Sequence, residues 1–250
     1  MNAIKAIFIK QLNDVFKNPT VTMMFIMFPA MAFFMIEFMS DGTPGAAGMQ
    51  VANMAIMSVA ALPIMGIASY IAEDVENRSL RFLVMAGVKP AQYLIGLSSF
   101  IMILTLLSMA AFAFIGEFTG SNFGLFIGIT MLGSLVSLAI GAVTGLLSKS
   151  VQQVNTYGTI LMMGLGFLPM MVMFNPDVLN FSYYLFTQQV SLVLIYLALG
   201  GGEVATAFFT DILAIDGINV MRSMLIILAN AAVFAGLFAF IYKKKGLRGE

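Results

Sequence analysis

The side chains that most often do chemistry are missing from this chain or stand apart in it. It has no histidine and no cysteine. That removes the commonest general base and metal ligand, and with them any thiolate nucleophile or disulfide. Paired carboxylates are absent from the middle of every apolar run, so acid–base, proteolytic or metal chemistry inside a membrane lacks its parts. The segment GLLSKS at 145–150 lacks the Gly-Lys-Ser/Thr of a phosphate loop and ends an apolar run, so it is rejected as one. One concentration of charge remains in the first 145 residues: Glu73 to Tyr93, EDVENRSLRFLVMAGVKPAQY, with Glu73, Asp74, Glu76, Arg78, Arg81 and Lys89. Its chemistry is recognition. Leu80, Leu83 and Val84 can form an apolar stripe for a groove, and Arg78, Arg81 and Lys89 offer charge pairs to a partner. The plainer reading is a solvated loop touching lipid headgroups.

The elements that must position this cluster follow from composition. Of 250 residues, 60% are hydrophobic and 10% charged, against about 25% charged in ordinary soluble domains. The apolar runs reach the roughly 20 residues that a bilayer crossing takes. The chain is therefore expected to be an all-α integral membrane protein. Its 22 Met and 23 Phe are ordinary lipid-facing and packing surface, or an adaptable lining for an apolar ligand.

Residues 3–17 fit an amphipathic helix. Lys10, Asn13, Asp14 and Lys17 share one face; Ile4, Ile7, Phe8, Leu12, Val15 and Phe16 share the other, with Lys5 snorkelling from the apolar arc. Such a helix, within 1–19, lies in the membrane interface, and Asn18-Pro19 ends it. The alternation over these residues does not suit a cleavable signal peptide. Six spans are expected, at 21–39, 51–72, 94–115, 123–147, 154–174 and 222–242, in a single transmembrane domain over 1–250. Pro29, Pro63 and Pro169 lie within three of them. Gly133, Ser137, Gly141 and Gly145 recur every four positions and form a smooth ridge for close helix packing, within the subunit or between subunits.

Charge sets the expected topology. With six spans and both termini cytoplasmic, Lys5, Lys10, Lys17, Arg78, Arg81, Lys89, Lys149, Lys243, Lys244, Lys245 and Arg248 are inside and only Arg222 is outside. Glu37, Asp41, Glu117, Asp177, Glu203, Asp211 and Asp216 then face out. Tyr183–Leu199 is a marginal seventh span, but a crossing there would put the basic tail outside. Residues 175–219 are therefore expected to be a non-crossing outer excursion of short or re-entrant helices, and a candidate outer gate.

This layout resembles the type-2 ABC-transporter permeases, the exporter-type membrane subunits, over the whole chain. The local pattern is an acidic cluster, a short helix with a Thr/Ser-Leu-Arg core, a turn, and a helix entering the third span. Here it reads Glu73-Asp74-Val75-Glu76-Asn77-Arg78-Ser79-Leu80-Arg81-Phe82-Leu83, then Gly87-Val88-Lys89-Pro90, then Gln92-Tyr93-Leu94-Ile95-Gly96, with Val75 where the family carries a basic residue. The resemblance implies that Arg78–Val84 is the coupling helix, docking through Arg78, Leu80, Arg81, Leu83, Val84 and Lys89 on an ABC ATP-binding subunit present in two copies. The interfacial helix, through Lys10, Asn13, Asp14 and Lys17, would be a second contact. ATP and Mg would bind the ATPase; this chain would hold no cofactor, cut no bond and bind no nucleic acid. A second permease subunit, identical or homologous, would complete a pathway in the inner membrane. The implied function is alternating-access export of a hydrophobic or amphipathic substrate: a drug, a lipid or an antimicrobial peptide such as a bacteriocin. An ion-coupled carrier would instead need ionisable residues near span centres, where none is found. A non-transporting immunity or sensor protein on the same scaffold remains the other alternative.

Overall fold

The computed structural model describes residues 3–15, 19–39, 46–213, 215 and 217–245. Among these residues the fold is all-helical. In chain order the helices are α1 Ala3–Val15, α2 Pro19–Met39, α3 Ala46–Glu76, α4 Ser79–Met85, α5 Pro90–Ile115 and α6 Gly120–Leu147. They are followed by α7 Val151–Met171, α8 Asp177–Ser182, α9 Phe186–Ala198, α10 Gly202–Leu213 and α11 Val220–Lys245. Lys17, Asp41, Asp216 and Arg248 of the expected charge pattern lie outside the described residues.

Helix α3 is the axis of the bundle. It packs against α2, α5, α6, α7 and α9, and 89% of its apolar window is buried, against 6% for α11. That contrast makes α3 the core and leaves α11 for lipid or another chain to cover. Among the described residues four helices are long and apolar enough to cross a membrane: Ala47–Glu76, Ala91–Ile115, Gly120–Leu147 and Val220–Lys243. Helices α2 and α7 overlie the other two expected spans. The described apolar stretch of α2 is the shorter Met23–Phe38, and α7 opens on the polar residues Gln152, Gln153, Asn155 and Thr156.

The small-residue ridge of α6 is buried against α3. A Cβ on Gly141 would lie 2.6 Å from the Ile64 carbonyl oxygen and 2.7 Å from Ile64 Cα; on Gly145 it would lie 2.9 Å from Ile71 Cβ. Backbone meets backbone here, so the glycines set the helix separation. Ser137, one turn before Gly141, is fully buried and its hydroxyl has no partner among the described residues.

Proline shapes α2 through a neighbour. Pro29 has no N–H, so the Phe25 carbonyl loses its intrahelical donor. Ser108 Oγ of α5 supplies one, donating to Phe25 O at 3.2 Å. A kink tolerated in lipid needs such a replacement, and it fastens α2 to α5.

The excursion folds back into the bundle. Helix α9 has 13 residues, about 20 Å at 1.5 Å per residue, too short for a core roughly 30 Å thick. Its C-terminal Ala198 packs on Gly48 near the start of α3, while Val190 and Phe186 near its N-terminus pack on Gly133, well along α6. Asn230, ten residues into α11, donates to Tyr184 O at 2.9 Å. The N-terminal end of α9 therefore sits deep among the helices and its C-terminal end near their ends. Its polar residues are satisfied locally in part: Ser182 Oγ donates to Gln188 at 3.1 Å, and Gln189 Nε2 donates to Tyr183 O. Helix α10 covers a second apolar cluster built on Leu192, Ile195, Phe209 and Leu213, and the Arg222 guanidinium lies 5.3 Å from the Tyr183 ring centre.

Candidate docking surface

Helix α4 and its surroundings occupy one end of the bundle, with α1, the last turn of α3, the first turn of α5 and the α6–α7 turn. Helix α11 runs alongside α6, with Phe234 and Leu237 near Ile140 and Leu147, so Lys243 falls at this same end. The described Lys and Arg residues therefore gather here, Arg222 excepted.

The local sequence dictates the reversal. Helix α3 ends at Glu76, and Arg78 takes a left-handed backbone at φ 57. A residue with a Cβ adopts that conformation at a cost of about 1 kcal/mol or more. The chain turns and α4 starts at Ser79. Helix α4 closes at Gly87, φ 78, with Val88 N donating to Leu83 O at 3.0 Å. Pro90 then opens α5, where a missing N–H costs nothing, and Gln92 Oε1 accepts from Lys89 N at 3.0 Å.

The side chains of α4 divide between core and exterior. Leu83 is half-buried and packs, with Val75 and Val88, against the main core. Phe82 and Met85 point outward, 66% and 73% exposed. Arg78 and Lys89 flank them and are exposed. The side chains of Leu80, Arg81 and Val84 lie outside the described residues. The outward pair Phe82 and Met85 was missed by sequence reasoning, which followed the stripe through Leu83. The signal was present, since two large apolar residues three apart also share a helix face.

Helix α1 lies across α5. Gly96 admits it: a Cβ there would be 3.0 Å from Ile7 Cβ and 3.1 Å from the Ile4 carbonyl oxygen. Ile7 is buried, Phe8 meets Phe100 edge-on at 5.9 Å, and Gln11 is buried beside them. Leu12, expected on the apolar face, is not covered by the rest of the chain. Of the four polar residues expected to meet a partner, Lys10 turns to Asp74, with Nζ 3.0 Å from Oδ1. Asn13 is exposed, Asp14 half-buried, and Lys17 lies outside the described residues.

The sequence marks Asp74 only as one member of the acidic cluster. It is 5% exposed and its carboxylate is well supplied with donors. Lys10 Nζ and Ser79 Oγ both reach Oδ1, at 3.0 and 2.5 Å, and Tyr93 OH donates to Oδ2 at 2.6 Å. Glu76, by contrast, is exposed and accepts from Val151 N at 3.1 Å, joining the start of α7 to the end of α3. Among the described residues no group of acidic side chains could hold a metal ion. What the arrangement offers is an apolar and cationic ridge on a braced platform, suited to binding another protein.

The model of one protein family, described as ABC-2 family transporter protein, matches residues 40–241, some four-fifths of the chain and all of α3 to α10. No curated protein matches the chain.

Proposed function

The chain belongs to the ABC-2 family of transporter proteins, and from that premise we propose that it is the membrane subunit of an ATP-driven exporter. It is a multi-pass α-helical membrane protein and a transport subunit. The further reading is that α4 docks in a groove of a separate ABC ATPase, present in two copies and carrying ATP and Mg. The observation that carries it is the exposure of Phe82 and Met85 on a short helix flanked by Arg78 and Lys89. Two large apolar side chains between cations make a poor free surface and a good anchor for a partner's pocket.

In this reading α2 and α7 complete six spans, both termini face the cytoplasm, and the membrane is the inner one. A second permease subunit, identical or homologous, covers the exposed faces of α7 and α11. The substrate is hydrophobic or amphipathic (a drug, a lipid or an antimicrobial peptide). Exposed Met23, Met27 and Met31 on α2 and Met163 and Met171 on α7 suit an adaptable apolar pathway. The inner stretches of the four long helices carry no Asp, Glu, Lys or Arg, which argues against ion coupling.

Co-purification tests the docking. The wild-type chain should retain an ABC ATPase subunit through size-exclusion chromatography, and a Phe82→Asp/Met85→Asp variant should elute folded and alone. A wild-type chain that transports without any ATPase refutes the proposal. Orientation is tested by a cysteine at Glu203, since the chain has none of its own: an impermeant thiol reagent should label it from outside only.

A further inference from the structure

We propose that Asp74 is a positioning residue that makes α1 and α4 move as one body. The proposal rests on the docking reading above and adds how a load on α4 reaches the rest of the chain.

Helix α4 has seven residues, too few to hold a direction in water by itself. It also follows a left-handed Arg78, a reversal with little rigidity of its own. Something outside α4 must fix its first turn, and the contact present is Ser79. Its hydroxyl reaches the Asp74 carboxylate at 2.5 Å and the Asp74 carbonyl oxygen at 3.1 Å, bridging the reversal.

The same carboxylate oxygen receives Lys10 of α1 at 3.0 Å. The other oxygen receives Tyr93 of α5 at 2.6 Å. One buried side chain on α3 thus ties three other helices. Two further polar groups of this region, Gln11 Oε1 and Tyr70 OH, are buried with no partner among the described residues. Lys10 holds α1 at the same carboxylate that seats α4. Because Ser79 and Lys10 share Oδ1, a displacement of α4 that turns the carboxylate also changes the hold on α1. Tyr93 is the fixed point, being fully buried against α5's own neighbours.

Hydrogen–deuterium exchange on the full chain in lipid nanodiscs, with no ATPase present, tests this. Asp74→Asn should speed exchange of α1 and α4 peptides together, each about tenfold, with α6 and α9 peptides unchanged. Ser79→Ala is a milder change that leaves the carboxylate buried and paired. It should speed exchange in α1, which Ser79 does not touch, about threefold. Unchanged α1 exchange in Ser79→Ala, or a uniform rise over α6 and α9 in Asp74→Asn, overturns the proposal. A second readout uses the ATPase subunit that co-purifies with the wild-type chain. Ser79→Ala should keep its affinity, since Phe82 and Met85 are intact, while stimulated ATP turnover falls at least threefold. Loss of affinity and turnover together contradicts a positioning role. If no ATPase co-purifies with wild type, the docking reading fails while the exchange result still decides the tether.

Discussion

Adding one methyl group at Gly141 should push α3 and α6 apart. In Gly141→Ala the new Cβ would sit 2.6 Å from the Ile64 carbonyl oxygen and 2.7 Å from Ile64 Cα. Ordinary contact starts near 3.4 Å, a shortfall of about 0.8 Å. Backbone atoms cannot rotate away as a side-chain tip can, so the helices must separate, and the packed neighbours Gly145 and Ile67 lose contact with them. Overpacking of this kind costs roughly 1–3 kcal/mol. The control is Gly128→Ala on the same helix, where nothing lies within 4 Å of the new Cβ and the substitution can only gain the better helix propensity of alanine, up to about 1 kcal/mol. At roughly 2–4 °C per kcal/mol for a chain of this size, the two variants should differ in melting temperature by about 2–16 °C. Fluorescence-detected size-exclusion after a heating series reads that difference on detergent-solubilised protein. A Gly141→Ala variant at least as stable as Gly128→Ala would refute the backbone-contact account of the ridge.

Two more predictions follow from backbone groups. Ser108→Ala should cost about 1–2 kcal/mol by stranding the Phe25 carbonyl in the membrane. In a Pro29→Ala background the same change should cost little, because residue 29 then donates its own N–H; equal losses in both backgrounds in a thermal double-mutant cycle would disprove the link. Arg78→Gly should raise stability by up to about 1 kcal/mol, since the φ of 57 suits glycine. The same thermal assay checks it, and a drop would mean that the Arg78 side chain holds the reversal.

Much of the architecture is legible in the sequence because it depends on short-range chemistry. A lipid-spanning helix must be long and apolar whatever it packs against, so α3, α5, α6 and α11 follow from hydropathy alone. Pro90 opens α5 and Asn18-Pro19 separates α1 from α2 for equally local reasons. Tyr183–Leu199 reads as apolar enough for a marginal span, set aside only because a crossing there would put the basic tail outside; the structure forms a 13-residue helix within it. The family resemblance was carried by the same cluster that forms α4.

Orientation around each helix was not legible. Whether Leu83 or Phe82 faces out is decided by how α4 is tilted against Val75 and Val88, and a seven-residue apolar stretch has two candidate stripes. Gln11 is buried and Leu12 left uncovered because α1 lies on Gly96 of α5. Asp74 looked like a helix end among other acids; only the meeting of Lys10, Ser79 and Tyr93, which lie up to 83 positions apart in sequence, makes it a junction. Hydropathy and turn residues are properties of neighbours along the chain, so the sequence alone determined the helices, their order and the position of the charged reversal. Tertiary structure alone decided which side of α4 faces outward and which carboxylate contacts its first turn, because those depend on groups that become neighbours only when the helices pack.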